Sequence, residues 1–375
     1  MKLLKNLRAS ALAAIASLGV ATAADAAAPK HIFVIMMENH AYDEIIGNTK
    51  DAPFINQLAS QYNVETEYYG VTHPSLPNYL AFASGSFQGI FDDCAAGKTI
   101  TCAPEEFVPD SGDQTAGNFL TKQEIRKATN APHWFRGDNI VDALESNGKT
   151  WKGYFQSMPK RGYDVEYAPT IDGTVVKLYA QKHNPFLYFS DIRHSDMRLS
   201  HIVPFENHFD SDLASGNVAN FVFIAPDQCH DMHGISPSQA ALVNQPQCGY
   251  PDSGLDHGAI KLGDRFLRNT VGKIMNSSVW QKGSSSIVIV WDEDDYSGFA
   301  GCCASPVGRN GIVLGGARVP MIVINSSDSG TAPTQLHVPA NHYSLLATIE
   351  TLWDLPCLAH SCEIDNAGQL RSMFR

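Results

Sequence analysis

The 375-residue sequence predicts an α/β fold: a mostly parallel central sheet flanked by helices on both faces. Three observations point there. Several short runs are apolar almost without interruption, the pattern of strands buried on both faces. Stretches carrying helix start and stop signals separate those runs. Acids and imidazoles stand directly after three of them, where open parallel sheets place their ligands.

Taken in chain order, the expected strands are His31–Met37, Pro185–Phe189, Asn220–Ala225, Ser286–Trp291 and Val319–Asn325. A loop at 72–74 feeds a helix that opens at Ser75, carries Pro77 in its first turn and stops at Gly85. The segment from Gln88 to Arg136, rich in Asp, Gly, Pro and Thr, reads as a long irregular insertion near the site. A helix capped by Asp138 ends at Gly148, another covers His257 to Met275, and a last one covers Tyr343–Leu352.

Composition bounds the cellular setting. Hydrophobic residues at 44% and charged residues at 18% fit a globular protein with a sizeable core. Lys2, Lys5 and Arg8 precede an apolar run from Ala11 to Val20, and small residues with an A-x-A site, Ala24-Asp25-Ala26, follow. This is the pattern of a signal peptide over residues 1–26, leaving 27–375 as a single secreted or periplasmic domain. The apolar run is shorter than the ~20 residues of a membrane span, so no stable membrane insertion is expected. Eight cysteines in an exported chain suggest local disulfides, with Cys94–Cys102, Cys229–Cys248 and Cys357–Cys362 favoured and Cys302-Cys303 a vicinal pair. The absence of any C-x-x-C pair argues against a thiolate zinc site. The net charge of −12 becomes −14 for residues 27–375 (24 basic against 38 acidic), which argues against a nucleic-acid partner. A small anionic substrate stays open, because a bound cation reverses the local sign.

Three strand ends carry chemistry. Glu38-Asn39-His40 follows the first run, Asp227 to His233 follows Ala225, and Asp292-Glu293-Asp294-Asp295 follows Trp291. One acid after a strand is usually a cap or a solvated loop residue; three clusters on one sheet edge suggest a shared site for a divalent cation of undetermined identity. Ser75, at a helix start, is either a plain cap or a nucleophile in the field of the helix N-terminus. Without a G-x-S-x-G elbow, metal activation accounts for it better than a Ser–His–Asp triad. His342 and His183, each taken alone, read as ordinary structural histidines.

An ordered set of short motifs resembles the bacterial phosphoesterase family that holds secreted acid phosphatases and phospholipases C, within the alkaline phosphatase superfamily. The pieces are Met37-Glu38-Asn39-His40-Ala41-Tyr42-Asp43, His73-Pro74-Ser75-Leu76-Pro77-Asn78-Tyr79, Trp151-Lys152-Gly153-Tyr154, Lys182-His183-Asn184-Pro185-Phe186, Pro226-Asp227 with His230-Asp231-Met232-His233, Trp291-Asp292-Glu293 and His342-Tyr343-Ser344-Leu345-Leu346. The resemblance implies an alkaline-phosphatase-like sheet. It implies a metal held by Glu38, Asn39, Ser75, Asp292 and Glu293, with Ser75 attacking phosphorus. His230 or His183 would protonate the leaving group, and Asn78, Asp227 and His342 would join substrate binding. The expected activity is acid phosphatase action on phosphomonoesters, through a phosphoserine, with small phosphate esters or phospholipid headgroups such as phosphoinositides as substrates. A phospholipase C cutting phosphodiesters is the nearest alternative. A catalytically inactive exported binding protein on the same fold is the alternative from another class. A sulfatase is disfavoured because Ser75-Leu76-Pro77-Asn78-Tyr79 lacks the arginine of the C/S-x-P-x-R setting.

Overall fold

Eight strands form the main sheet: β1 (His31–Met37), β2 (Asn63–Glu65), β3 (Trp151–Phe155), β4 (Ile202–Pro204), β5 (Phe221–Ala225), β6 (Ser285–Trp291), β7 (Met321–Asn325) and β8 (Gln335–Leu336). The computed structural model describes residues 28–97, 102–104, 116–295, 298–328, 330, 332–365 and 370–374. The expected signal peptide lies outside the described residues, as does part of the Gln88–Arg136 segment. The strand order is β8-β2-β7-β6-β1-β5-β3-β4. Only β7 of the eight runs against the rest, antiparallel to both β6 and β2.

Every residue of β1, β5, β6 and β7 is buried, as their nearly continuous apolar sequences require. Burying such side chains contributes roughly 1.5–3 kcal/mol each, enough to offset polar groups held at the strand ends. Helices cover both faces. Phe82 of α2 (Ser75–Ser84) stacks on Phe223 of β5 at 5.9 Å, and Val34 lies in register with Phe223. Met37, of opposite parity on β1, meets α5 (His257–Met275) at Gly263, where a Cβ would lie 3.1 Å from Met37 Cε and 2.4 Å from Met232 Cγ. Helices α1 (Pro53–Gln61), α3 (Ile140–Ser146), α4 (Phe205–Ser215) and α6 (His342–Leu352) also pack around the sheet. Among the described residues, no helix is long and apolar enough to cross a membrane.

Three expectations need correction. Residues 185–189 are not a strand: Pro185–Tyr188 is a 3-10 turn, since Pro185 lacks an N–H and a short buried apolar run carries no period to separate the two states. The cap of α3 is Asn139 rather than Asp138, with its side-chain oxygen accepting from Val141 N at 2.9 Å. The strand expected from Val319 starts at Met321, after Pro320, and runs antiparallel.

The cysteines pair as Cys94–Cys102, Cys229–Cys248, Cys302–Cys303 and Cys357–Cys362. Asn341 joins the vicinal pair to α6. Its Nδ2 donates to the Cys302 and Cys303 carbonyls, each at 3.1 Å, while its Oδ1 accepts from Tyr343 N and Ser344 N at the helix start.

Glu350 of α6 is 2% exposed, accepts from Ser361 Oγ at 2.6 Å, and has its other oxygen unpartnered. Burial pushes its carboxyl from an ordinary value near 4.5 to about 7, despite the Ser361 hydrogen bond. The folded state therefore binds this proton more tightly than the unfolded chain. Its stabilising effect is complete below about pH 4.5 and is lost as pH rises through about 7. Glu350→Gln should remove this decline, gaining roughly 2–3 kcal/mol on wild type between pH 5 and pH 8 in urea titrations. Parallel pH profiles for the two proteins would refute it.

Candidate active site

The carboxyl ends of three neighbouring parallel strands deliver the site. Glu38 follows β1, Asp231 and His233 lie in the loop after β5, and Asp292 and Glu293 follow β6. Backbone bonds lock these ends together: Glu38 N donates to Asp231 O at 2.9 Å, and Asp292 N donates to Met37 O at 3.0 Å. Asn39 adopts the left-handed region (φ 46°), which asparagine tolerates better than most residues.

Ser75 is the first residue of α2 and 1% exposed. Its hydroxyl oxygen lies 3.0 Å from Glu38 Oε2, 3.0 Å from Glu293 Oε1 and 3.0 Å from Lys182 Nζ. One hydroxyl proton serves only one of the two carboxylates, while the lysine donates to the oxygen itself. Ser75 does not cap its helix. Asp93 Oδ1 instead accepts from Leu76 N at 2.9 Å, so this N–H is already committed. Asp93 Oδ2 accepts from Lys182 Nζ at 2.7 Å.

The groups around this centre are buried. Tyr79 donates to Glu38 Oε1 at 2.6 Å and stacks on His183 at 5.2 Å. His183 Nε2 lies 3.1 Å from Glu38 Oε1 and Nδ1 lies 3.3 Å from Asp231 Oδ2. His73 Nδ1 makes a short bond to Glu293 Oε2. Burial, reinforced by mutual repulsion, raises the carboxyls of Glu38 (to about 7), Asp231, Asp292 and Glu293. Burial also opposes the Lys182 charge, but Asp93, Glu38 and Glu293 outweigh it and hold the ammonium ionised. His233 Nε2 stands 3.4 Å from Lys182 Nζ, and burial together with that ammonium pushes His233 down to about 3.

The residues expected to hold a metal are Glu38, Asn39, Ser75, Asp292 and Glu293. Asp292 Oδ2 and Asn39 Oδ1 are buried without any hydrogen-bond partner, and Asp292 Oδ1 faces Asn39 N at 3.4 Å. Unpartnered oxygens beside mutually repelling carboxyls are the donor set of a hard divalent cation, so these residues fit one. Asp92, Cys94, Cys102 and His133 also bring donor atoms close together. There both sulfurs belong to one disulfide, and Asp92 already bonds His133 at 2.7 Å, so no thiolate site exists.

The remaining expected residues fall elsewhere. Asn78 is engaged by its own loop: Oδ1 accepts from Val71 N and Thr72 N, and Nδ2 donates to Thr72 O and Pro74 O. His342 Nε2 donates to the Asp292 carbonyl at 2.7 Å, so its Nδ1 accepts from Tyr68 OH at 3.1 Å; it positions Asp292. Asp227 braces its loop, with Oδ1 2.7 Å from His230 Nδ1 and Oδ2 accepting from Ser157 Oγ at 2.7 Å. His230 lines a separate cavity with Gln156, Phe266 and Arg265, and His233 occupies the place expected for it. Lys182, Asp93 and Asp231 were missed as site residues. Lys182 stands inside a motif, but a lysine on a short turn carries no period to show which way it points.

The phosphoesterase family matches residues 48–356. The chain is similar to a probable acid phosphatase of Kluyveromyces lactis, 25% identical over 89% of this chain and 60% of that protein. It is similar to an acid phosphatase of Aspergillus fumigatus, 24% identical over 93% of this chain and 60% of that protein. A phosphatidylinositol-3-phosphatase of Mycobacterium tuberculosis is 27% identical over 94% of this chain and 85% of its own length. The chain thus spans 60% of the length of these two fungal relatives. A solved structure from Vibrio parahaemolyticus in the alkaline phosphatase superfamily aligns with a TM-score of 0.47 at 14% identity, over 87% of this chain and 66% of that one.

Lys182→Met should leave Asp93, Glu38 and Glu293 without their ammonium. In chelator, the variant should lose about 3–5 kcal/mol in urea unfolding, the usual cost of breaking a buried ion pair. Adding Asp93→Asn should recover part of that loss. A Lys182→Met protein as stable as wild type would show that this charge is not needed to hold the cluster.

Proposed function

We propose that this chain, which belongs to the phosphoesterase family, is an exported acid phosphatase that passes the phosphoryl group of a monoester to Ser75 and then to water. The observation that carries the reading is the buried Ser75 hydroxyl, set 3.0 Å from two carboxylates and 3.0 Å from an ammonium. A carboxylate there takes the hydroxyl proton, and Lys182 offsets the negative charge growing on Oγ. The Oγ–phosphorus bond forms as the phosphorus–ester-oxygen bond breaks, and the alcohol leaves with the proton returned from the carboxylate. Water then cleaves the phosphoserine, releasing phosphate and restoring the hydroxyl.

A divalent cation held by Glu38, Asn39, Asp292 and Glu293 would supply Lewis-acid stabilisation to the phosphoryl oxygens and lower the pKa of the serine hydroxyl. His342, through the Asp292 carbonyl, and Tyr79, through Glu38, orient those side chains. His183 belongs to this supporting layer, and the neutral imidazole of His233 faces Lys182. The acid phosphatase names of the fungal relatives support the reaction class, and the name of the mycobacterial relative supports a monoester substrate. Four disulfides support an extracytoplasmic address.

Ser75→Ala should remain folded, because its side chain caps nothing, yet lose p-nitrophenyl phosphate turnover by at least roughly a thousandfold. Acid-quenched wild type should carry one phosphate by intact mass, and Ser75→Ala none; substantial residual turnover would reassign the nucleophile to water. Exhaustive dialysis against chelator should abolish turnover and a divalent salt should restore it. Full activity of the dialysed enzyme would remove the cation from the reading.

A further inference from the structure

Asp93 reaches the catalytic cluster from backbone that no ladder of hydrogen bonds fixes. Between Gly85 and Gly97 the chain forms neither helix nor strand. Yet Asp93 meets two partners at once: Oδ1 accepts from Leu76 N at 2.9 Å and Oδ2 from Lys182 Nζ at 2.7 Å. Lys182 is a compact charge on a flexible stem, and Glu38 and Glu293 also attract it. The place of the ammonium beside Ser75 Oγ therefore depends on where Asp93 is held.

Residues outside the cluster hold it. His133 is fully buried and donates through Nε2 to Asp92 Oδ1 at 2.7 Å. The same oxygen accepts from Cys94 N at 3.0 Å, so the Asp92 carboxylate spans Asp93 and closes a turn around it. The His133 carbonyl accepts from Gly97 N at 3.0 Å, which fastens the far end of the loop to the same residue. Tyr188 donates its hydroxyl to Cys94 O at 2.9 Å. Gln181, one residue before Lys182, accepts from Ala96 N through Oε1 at 2.8 Å. Asp92 Oδ2 and His133 Nδ1 are buried without hydrogen-bond partners. Among the described residues, the His133 bond is thus the one tie of the Asp92 carboxylate outside its own turn.

We infer that His133 is a positioning residue for phosphoryl transfer: through Asp92 and the loop to Gly97 it places Asp93, which places the Lys182 ammonium on Ser75 Oγ. The inference rests on the reading of Ser75 as the nucleophile. His133 acts on geometry and not on the reacting atoms. Without its bond the turn around Asp93 loosens, and the ammonium is free to follow Glu38 or Glu293 instead. An error of about 1 Å in a group that offsets developing charge costs up to roughly a hundredfold in rate.

The test uses the full-length enzyme in divalent salt with p-nitrophenyl phosphate, reading kcat, KM and the rate of phosphoserine formation after acid quench. His133→Leu should lower kcat and phosphoserine formation by about 10- to 100-fold, with KM changed by less than about threefold. His133→Gln, whose side-chain amide still offers Asp92 an N–H donor, should recover most of that loss. Asp93→Asn keeps the Oδ1 acceptor for Leu76 N and removes the charge that holds Lys182. In that background His133→Leu should have little further effect, because the group it places is already uncoupled from the ammonium. Wild-type kcat in His133→Leu, no recovery in His133→Gln, or losses that multiply in the Asp93→Asn background would each overturn the inference. Should His133→Leu fail to fold, Tyr188→Phe slackens the same loop at Cys94. It should lower kcat by about threefold, the loss of one neutral hydrogen bond, and only while Asp93 is intact; an equal loss in both backgrounds, or none, would be as damaging. Turnover by wild type with no phosphoserine at any time would instead overturn the Ser75 reading beneath it.

Discussion

Four carboxyl groups, those of Glu38, Asp231, Asp292 and Glu293, are buried around one serine, and their mutual repulsion is the constraint on which the rest of the arrangement depends. Two such charges 4 Å apart repel by about 4 kcal/mol even at an effective dielectric of 20. Lys182 offsets part of this, and Asp93 in turn fixes Lys182 while bonding the first turn of α2. The helix that presents Ser75 and the ammonium that steadies its oxygen are thus held by one aspartate. Protonation of the carboxyls, or a cation among them, supplies the remaining relief.

The scaffold withstands this because the cluster sits at strand ends whose bodies are almost wholly apolar. Strands β1, β5 and β6 run in parallel, so their carboxyl ends bring acids together at one edge without any loop having to fold back. Antiparallel β7 departs from that rule and carries none of the cluster. Its role is to extend the buried sheet from β6 toward β2.

Much of this was legible because burial on both faces leaves unbroken apolar runs, and each run shows where its strand must end. Glu38, Asp292 and Glu293 follow directly from that logic. Residues on irregular backbone were not legible. Across Asp227–His233 the chain turns at every step, so His230 faces one cavity, Asp231 the cluster and His233 the Lys182 ammonium, and spacing alone cannot sort them. Lys182 lies on a 3-10 turn, and Asp93 lies in the Gln88–Arg136 segment, whose placement against the sheet is set by tertiary contacts. The same limit made residues 185–189 resemble a strand: a short apolar run states that it is buried and leaves open how it is coiled.

Asn341 has a mechanical consequence. One amide group holds both carbonyls of the Cys302–Cys303 pair and two of the free N–H groups at the start of α6, immediately before His342 and its bond to the Asp292 carbonyl. The Cys302–Cys303 turn and the opening turn of α6 therefore cannot fray independently. Slow amide exchange in one obliges slow exchange in the other, and the two behave as one cooperative unit whose local opening would release the Asp292 peptide from its imidazole.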